Sequence, residues 1–224
     1  KPLGDTFPAH GPRAAPVAPM TATPATRPLR FAAIGLDHGH IFDHIRGLTA
    51  AGAEFAGYCP DSTVPSLVQQ VTQAWPQVGA RPRDALLEDP SIDIVCTAAV
   101  PSHRAGIAVR AMRCGKDTMV DKPGVTTAAQ LDELRRTVAE TGRIWSVCFS
   151  ERHCVPSAVA AGRLVASGAI GRVVQTLGLG PHRKGRVRPD WFWRMDDVGG
   201  ILCDIASHQI DQFLHYTGAR QAPV

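Results

Sequence analysis

Between residues 29 and 149 short apolar runs alternate with helix-like stretches, and this alternation narrows the fold more than any other feature of the chain. Leu29 to Gly35 and Ile92 to Ala98 are continuous apolar runs, the pattern of strands covered on both faces. Glu54 to Tyr58, Thr118 to Val120 and Arg143 to Phe149 supply three more candidate strands. Helix patterns lie between them. Ile41, Ile45 and Leu48 recur at helical spacing behind Asp37, a residue suited to capping, and Gly52 ends the run. Ser66 to Ala74 carries Leu67, Val68 and Val71 on one face, and Arg104 to Cys114 stops at Gly115. Thr127-Ala128-Ala129-Gln130 is a capping box that opens a helix with Leu131, Leu134 and Val138 inward and Gly142 as its stop. Strands alternating with helices in this way predict a right-handed, doubly wound parallel sheet of the Rossmann type.

The flanks read differently. Residues 1–28 are punctuated by prolines with Ala and Thr between them and predict a mobile tail, with residues 1–19 as an upstream extension. From about residue 151 to 224 the texture changes to that of a second, α+β unit, of which the chain carries only the start. There, Ser157 to Ser167 reads as a helix and Gly171 to Leu179 as a strand. A polar loop carries Trp191 and Trp193, and a last helix runs from Ile201 to Tyr216 with Gly218 beyond it. Nothing approaches the ~20 consecutive apolar residues of a membrane span. The basic residues are spread along the chain. The densest group, Arg183 to Arg188, has no interleaved aromatics and reads as a solvated loop, so no nucleic-acid partner is expected. Six cysteines without a C-x-x-C pair fit a reducing, cytoplasmic setting.

Three places hold side chains suited to chemistry. The first strand–turn–helix would hold a dinucleotide phosphate loop, but G-x-G-x-x-G needs glycine at 35, 37 and 40, and the chain has Gly35, Asp37 and His40, with Gly39 out of register. His38, His40 and His44 are spaced as metal ligands can be, yet no acid or cysteine nearby is placed to complete a set, so no metal is expected. The last helix places Asp204, His208, Asp211 and His215 on one stripe. A solvated face is usually rich in Lys, Glu and Arg, whereas this one holds only Asp and His. Asp204 and His208 stand four residues apart, close enough for the acid to orient the imidazole as a base. Before these, Met119-Val120-Asp121-Lys122-Pro123-Gly124 puts a lysine at the carboxyl end of a strand, where open α/β sheets bind ligands.

With Lys122, Asp204 and His208 in view, the chain resembles the glucose–fructose oxidoreductase / inositol dehydrogenase / rhizopine-catabolism family of NAD(P)-dependent oxidoreductases. The family's Glu-Lys-Pro is matched by Asp121-Lys122-Pro123. Its glycine-rich turn followed by Leu, Asp, His and Asp is matched by Gly199-Gly200, Leu202, Asp204, His208 and Asp211. Asp93 to Thr97 with Pro101 and His103 is similar to its fourth strand and the loop over the cofactor. The resemblance implies a dinucleotide-binding domain over 29–150 and a substrate and oligomerisation domain from 151. It implies Lys122 at the nicotinamide and the reacting hydroxyl, His208 as proton acceptor, and Asp204 orienting His208 or substrate. Gly35, His38, Gly39, His40, Asp61, Thr97, Pro101 and His103 would join Lys122 around the cofactor, and Arg152 and Trp191 would join the substrate site. The cofactor is NAD or NADP, with NAD favoured because no basic cluster follows the second strand. The implied substrate is a sugar, polyol or related hydroxy compound, and the full-length protein is expected to be a homo-oligomer. A non-catalytic dinucleotide- or sugar-sensing protein of the same fold, or an inactive fragment, is the alternative, and a metal hydrolase built on the three histidines a third.

Overall fold

The computed structural model describes residues 27–180 and 188–219. The tail expected over 1–28 lies outside the described residues except for its last two. Arg27, one of these, is tied down by a two-pronged hydrogen bond to Asp93, 2.8 Å on each prong. All five expected strands of the first part form: β1 (Arg30–Ala33), β2 (Glu54–Tyr58), β3 (Ile94–Thr97), β4 (Asp117–Asp121) and β5 (Trp145–Cys148). They pair in parallel in the order β2-β1-β3-β4-β5, so the chain reverses its winding between β1 and β3.

β1 shows why its sequence is apolar without a break. Phe31 and Ala33 pack under Ile41 and Ile45 of α1 (Ile41–Ala50) and Val71 of α2 (Pro65–Ala74). Ala32 and Ile34 face the other way, onto Leu86 and Leu87 of α3 (Arg83–Leu87) and Ile107 and Ala111 of α4 (Pro101–Arg113). Both faces are dry, so neither can carry a polar residue. On the far side Val120 of β4 packs with Ala105, Met112 and Leu134, the last from α5 (Ala128–Thr141). α5 is capped as its sequence predicts. The Thr127 hydroxyl accepts the Gln130 amide at 3.2 Å, and Gly142 closes the helix at φ 64°.

The structure departs from expectation at several points. α4 begins at Pro101 rather than Arg104, since proline fits the first helical turn. The five-residue α3 and α6 (Ser150–Cys154) are too short to show a period. Asp37 does not cap α1. Its carboxylate accepts the Thr63 amide at 2.6 Å and the Thr63 and Ser62 hydroxyls, and it lies 3.3 Å from the Val100 amide.

After α7 (Pro156–Ala166), the strand expected over Gly171 to Leu179 does not form, because no described strand lies beside it to complete a ladder. Val174, Leu177 and Leu179 there are each 81% exposed. A 3₁₀ turn at Asp190–Trp193 and α8 (Met195–Val198) follow. The single last helix is interrupted: a π turn at Leu202–Ala206 precedes α9 (Ser207–Thr217). Ile205 of that turn is buried, 9% exposed.

Candidate active site

A cavity of about 560 Å³ opens at the carboxyl ends of the strands. Its walls come from the segments after β1 (His38, His40), after β3 (Pro101, Arg104), after β4 (Lys122) and from the α9 region (Asp204, His208). This is the edge of an open parallel sheet at which ligands bind, beside the point where the winding reverses. The turn that starts it depends on Gly35. At φ +80° a side chain is strained, and a Cβ would stand 2.4 Å from Ala99 Cβ. Gly39, by contrast, has nothing within 4 Å of such a Cβ.

Lys122 is fixed from two sides. Its ammonium donates to Asp204 Oδ1 at 2.7 Å and to the Asp204 carbonyl at 2.9 Å. Its backbone is held by Arg104, 1% exposed. That guanidinium donates to the carbonyls of Asp121, Lys122 and Pro123, to the Ala99 carbonyl at 2.7 Å, and pairs with Asp121 Oδ2 at 3.1 Å. The Lys122–Pro123 peptide is cis. A buried Arg with five donors that satisfies four carbonyls and a carboxylate fixes the whole turn.

Asp121 lies beneath three imidazoles. His40 Nδ1 is 3.0 Å from Oδ1, His38 Nδ1 3.8 Å from Oδ2, and His44 Nε2 3.8 Å from Oδ1. Burial by itself would raise the Asp121 carboxyl, but the His40 hydrogen bond and the Arg104 charge hold it well below the usual carboxylate range. His38 is pushed down to about 3, first by burial and then by His40. The sequence reading found no acid to complete a histidine cluster. Asp121, distant in sequence, is that acid: ligand atoms of His38, His40 and Asp121 lie within 4.8 Å of one another. The spacing misled because the acid arrives from another strand.

His208, on α9, is 3% exposed, with its ring edge-on to Phe149 at 6.0 Å and Nε2 3.9 Å from Glu151 Oε1. The pairing of Asp204 with His208 expected from the sequence is not made. Asp204 sits within the π turn, ahead of α9, and goes to Lys122 instead. Asp211 is taken by Arg152, at 2.5 and 3.1 Å, which ties α6 to α9. Arg152 therefore points to α9 rather than lining the cavity; its neighbour Glu151 lines it.

Of the other expected residues, Trp191 lines the cavity and is 3% exposed. Thr97 is buried and its hydroxyl accepts the Ala99 amide. His103 is exposed on α4. Asp61 lies in a second hollow past the end of β2, beside Arg81, Arg83 and Arg110. The expectation was that no basic cluster follows β2; in the fold Arg81, Arg83 and Arg110 come beside Asp61 from segments further along the chain. Sequence reasoning missed Arg104, Glu151 and Arg188 as cavity residues. A lone arginine in the otherwise apolar inner face of α4 was the available signal for Arg104. Arg188 was read as part of a solvated loop. Residues 181–187 of that loop lie outside the described residues, but Arg188 lines the cavity.

Comparison with known proteins bears on both parts of the chain. Residues 44–149 match the profile of an oxidoreductase family with an NAD-binding Rossmann fold, and residues 158–224 match that of the GFO/IDH/MocA C-terminal domain. D-xylose dehydrogenase of Paenarthrobacter nicotinovorans is 30% identical over 131 residues, 56% of this chain and 34% of that protein. The NADP(+)-dependent scyllo-inositol 2-dehydrogenase of Bacillus subtilis (strain 168) is 25% identical over 140 residues, 62% of this chain and 38% of that protein. A crystal structure from Erwinia carotovora atroseptica SCRI1043, classed among the oxidoreductases, superposes with a TM-score of 0.81 at 49% identity, covering 85% of this chain and 57% of that one. The chain thus spans between a third and somewhat over half of the length of these relatives. Among the described residues no helix is long and apolar enough to cross a membrane.

Proposed function

Because the chain belongs to the GFO/IDH/MocA family of oxidoreductases, we propose that it oxidises a secondary hydroxyl of a sugar or polyol, or reduces the matching carbonyl, with a nicotinamide dinucleotide. The observation that carries this reading is the meeting of Lys122 and His208, from segments 86 residues apart (122 to 208), at one cavity on the carboxyl edge of the sheet. A bound nicotinamide would supply the acceptor for the hydride of the carbinol carbon, next to Lys122 and His208.

The protein's own groups do the rest. Lys122, its ammonium steadied by Asp204, donates a hydrogen bond to the reacting oxygen and favours its negative charge. His208 takes the hydroxyl proton, and the Glu151 carboxylate facing it stabilises the resulting imidazolium. Asp204 acts on Lys122 and not, as the sequence suggested, on His208.

The fit to a dinucleotide rests on Asp37. It is the one acid in the phosphate turn, and it is 6% exposed, with its charge turned onto Thr63 and Val100. It therefore does not confront a pyrophosphate. The second hollow, at Asp61, lies along the same sheet edge and suits the adenosine half. Asp61 favours a free ribose 2′-hydroxyl and hence NAD. Arg83, whose Nε lacks a partner, is the residue that would reverse that choice.

Titration with NADH and NADPH, followed by nicotinamide fluorescence, tests the first step, with tighter NADH binding expected. Lys122→Ala and His208→Asn should each lower kcat by at least about a hundredfold on a polyol that the parent protein turns over, and His208→Asn should keep NADH binding. Undiminished turnover in either variant would remove that residue from the mechanism.

A further inference from the structure

Of the Lys and Arg side chains that line the cavity, two are already paired. Lys122 holds Asp204 at 2.7 Å, and Arg104 holds Asp121 at 3.1 Å. Arg188 is not. Its guanidinium lies over the Phe192 ring, 4.7 Å from the centroid. Its Nε is shut from solvent without a hydrogen-bond partner, and among the described residues no carboxylate pairs with it. The ring beneath it packs against its aromatic neighbours. Phe192 is braced by Trp191 and Trp193, with ring centroids at 6.0 and 5.2 Å. A guanidinium seated over an aromatic ring, with no carboxylate on its fork among the described residues, is set to receive a planar carboxylate on two prongs.

We propose that the cavity takes a hydroxy acid, a sugar or polyol that carries a carboxylate, and that Arg188 binds this carboxylate. The placement of the reacting hydroxyl at Lys122 and His208 rests on the oxidoreductase reading above; the carboxylate site does not. A single negative charge fits better than a phosphate ester. Asp121, Glu151 and Asp204 line the same cavity, and a dianion would be repelled by their carboxylates more strongly than a monoanion. The arginine fork also matches a carboxylate's two oxygens in one plane.

The test uses a matched pair of probes that differ only in the acid group, D-glucuronate and D-glucose, titrated calorimetrically into the purified chain with and without NAD+. Glucuronate is expected to bind at least tenfold more tightly than glucose. Arg188→Met should weaken glucuronate about ten- to a hundredfold, down to the level of glucose, and Arg188→Lys should recover only part of the difference. A thermal melt of each variant confirms that the fold is intact. Equal affinities in the parent protein, no binding of glucuronate, tighter binding of glucose 6-phosphate, or a preference that survives Arg188→Met would each overturn the proposal. Glucuronate preference without NADH formation would leave the carboxylate site standing and count against the oxidoreductase reading alone.

Discussion

Asp121 is 2% exposed and carries a full charge, so its neighbours decide whether the Lys122 turn holds. Replacing it by Asn leaves the Arg104 guanidinium buried without a counter-charge. A loss of about 3–5 kcal/mol is expected in urea unfolding, with much of it recovered when Arg104 is also changed to Met. If Asp121→Asn proved neutral, Arg104 would be held by the backbone carbonyls alone. His38 supplies a pH test. The folded protein keeps it neutral down to about 3, whereas the unfolded chain protonates it near its ordinary 6.5. Between those values the unfolded state binds the extra proton, so stability falls as pH falls, by at most about 1.4 kcal/mol per pH unit from this residue. His44, lowered mainly by burial, acts in the same direction. Unfolding midpoints at pH 7.5 and 5 should therefore draw together in His38→Gln; an unchanged gap would assign the acid sensitivity elsewhere. At this scale Lys122 and His208 were legible because each lies in a motif. The partners Arg104 and Glu151 were not, because each is brought in from another part of the chain; Asp121 stands in the Lys122 motif itself, but the histidines it meets come from the turn and helix after β1.

α5 shows what a sequence can specify at the scale of an element. Its capping box, apolar stripe and terminal glycine all agree, and the helix runs from Ala128 to Thr141 between them. Thr127→Ala should cost about 1 kcal/mol by removing the acceptor for the Gln130 amide. Leu134→Ala, at a fully buried position, should cost about 2–5 kcal/mol. Denaturant unfolding measures both, and a larger loss at Thr127 than at Leu134 would contradict this account. Asp37 shows the limit. Its position before α1 fits a cap, yet the loop after β2 brings Ser62 and Thr63 to its carboxylate, and those donors take it first. A competition between local and distant donors cannot be read from spacing. The π turn at Leu202–Ala206 is a second case. It changes the phase between Asp204 and His208, and tertiary contacts rather than periodicity decide it: Lys122 holds Asp204, while Arg152 holds Asp211.

Across the whole molecule, the parallel sheet was legible because both faces of its strands are buried within the described chain. The expected strand at Gly171 to Leu179 was legible as a pattern, but its fate depends on neighbours. That segment passes close to α9, where a Cβ on Gly180 would stand 2.5 Å from Gln209 Nε2, so one side of its path is fixed. Its other side presents Val174, Leu177 and Leu179, each 81% exposed, and Ile201 and Leu202 add a further apolar area at 68% and 74% exposed. An extended segment with apolar side chains and unpaired backbone groups associates with other chains. Sedimentation velocity of this chain over a wide concentration range should therefore show self-association. The variant carrying Val174→Ser, Leu177→Ser and Leu179→Ser should shift toward monomer. NADH binding should be unchanged in that variant, since none of the three residues lines the cavity. Association that persists at full strength in the triple variant would move the contact to the Ile201–Leu202 face, and a monomeric parent protein would mean that the exposed segment has little drive to pair.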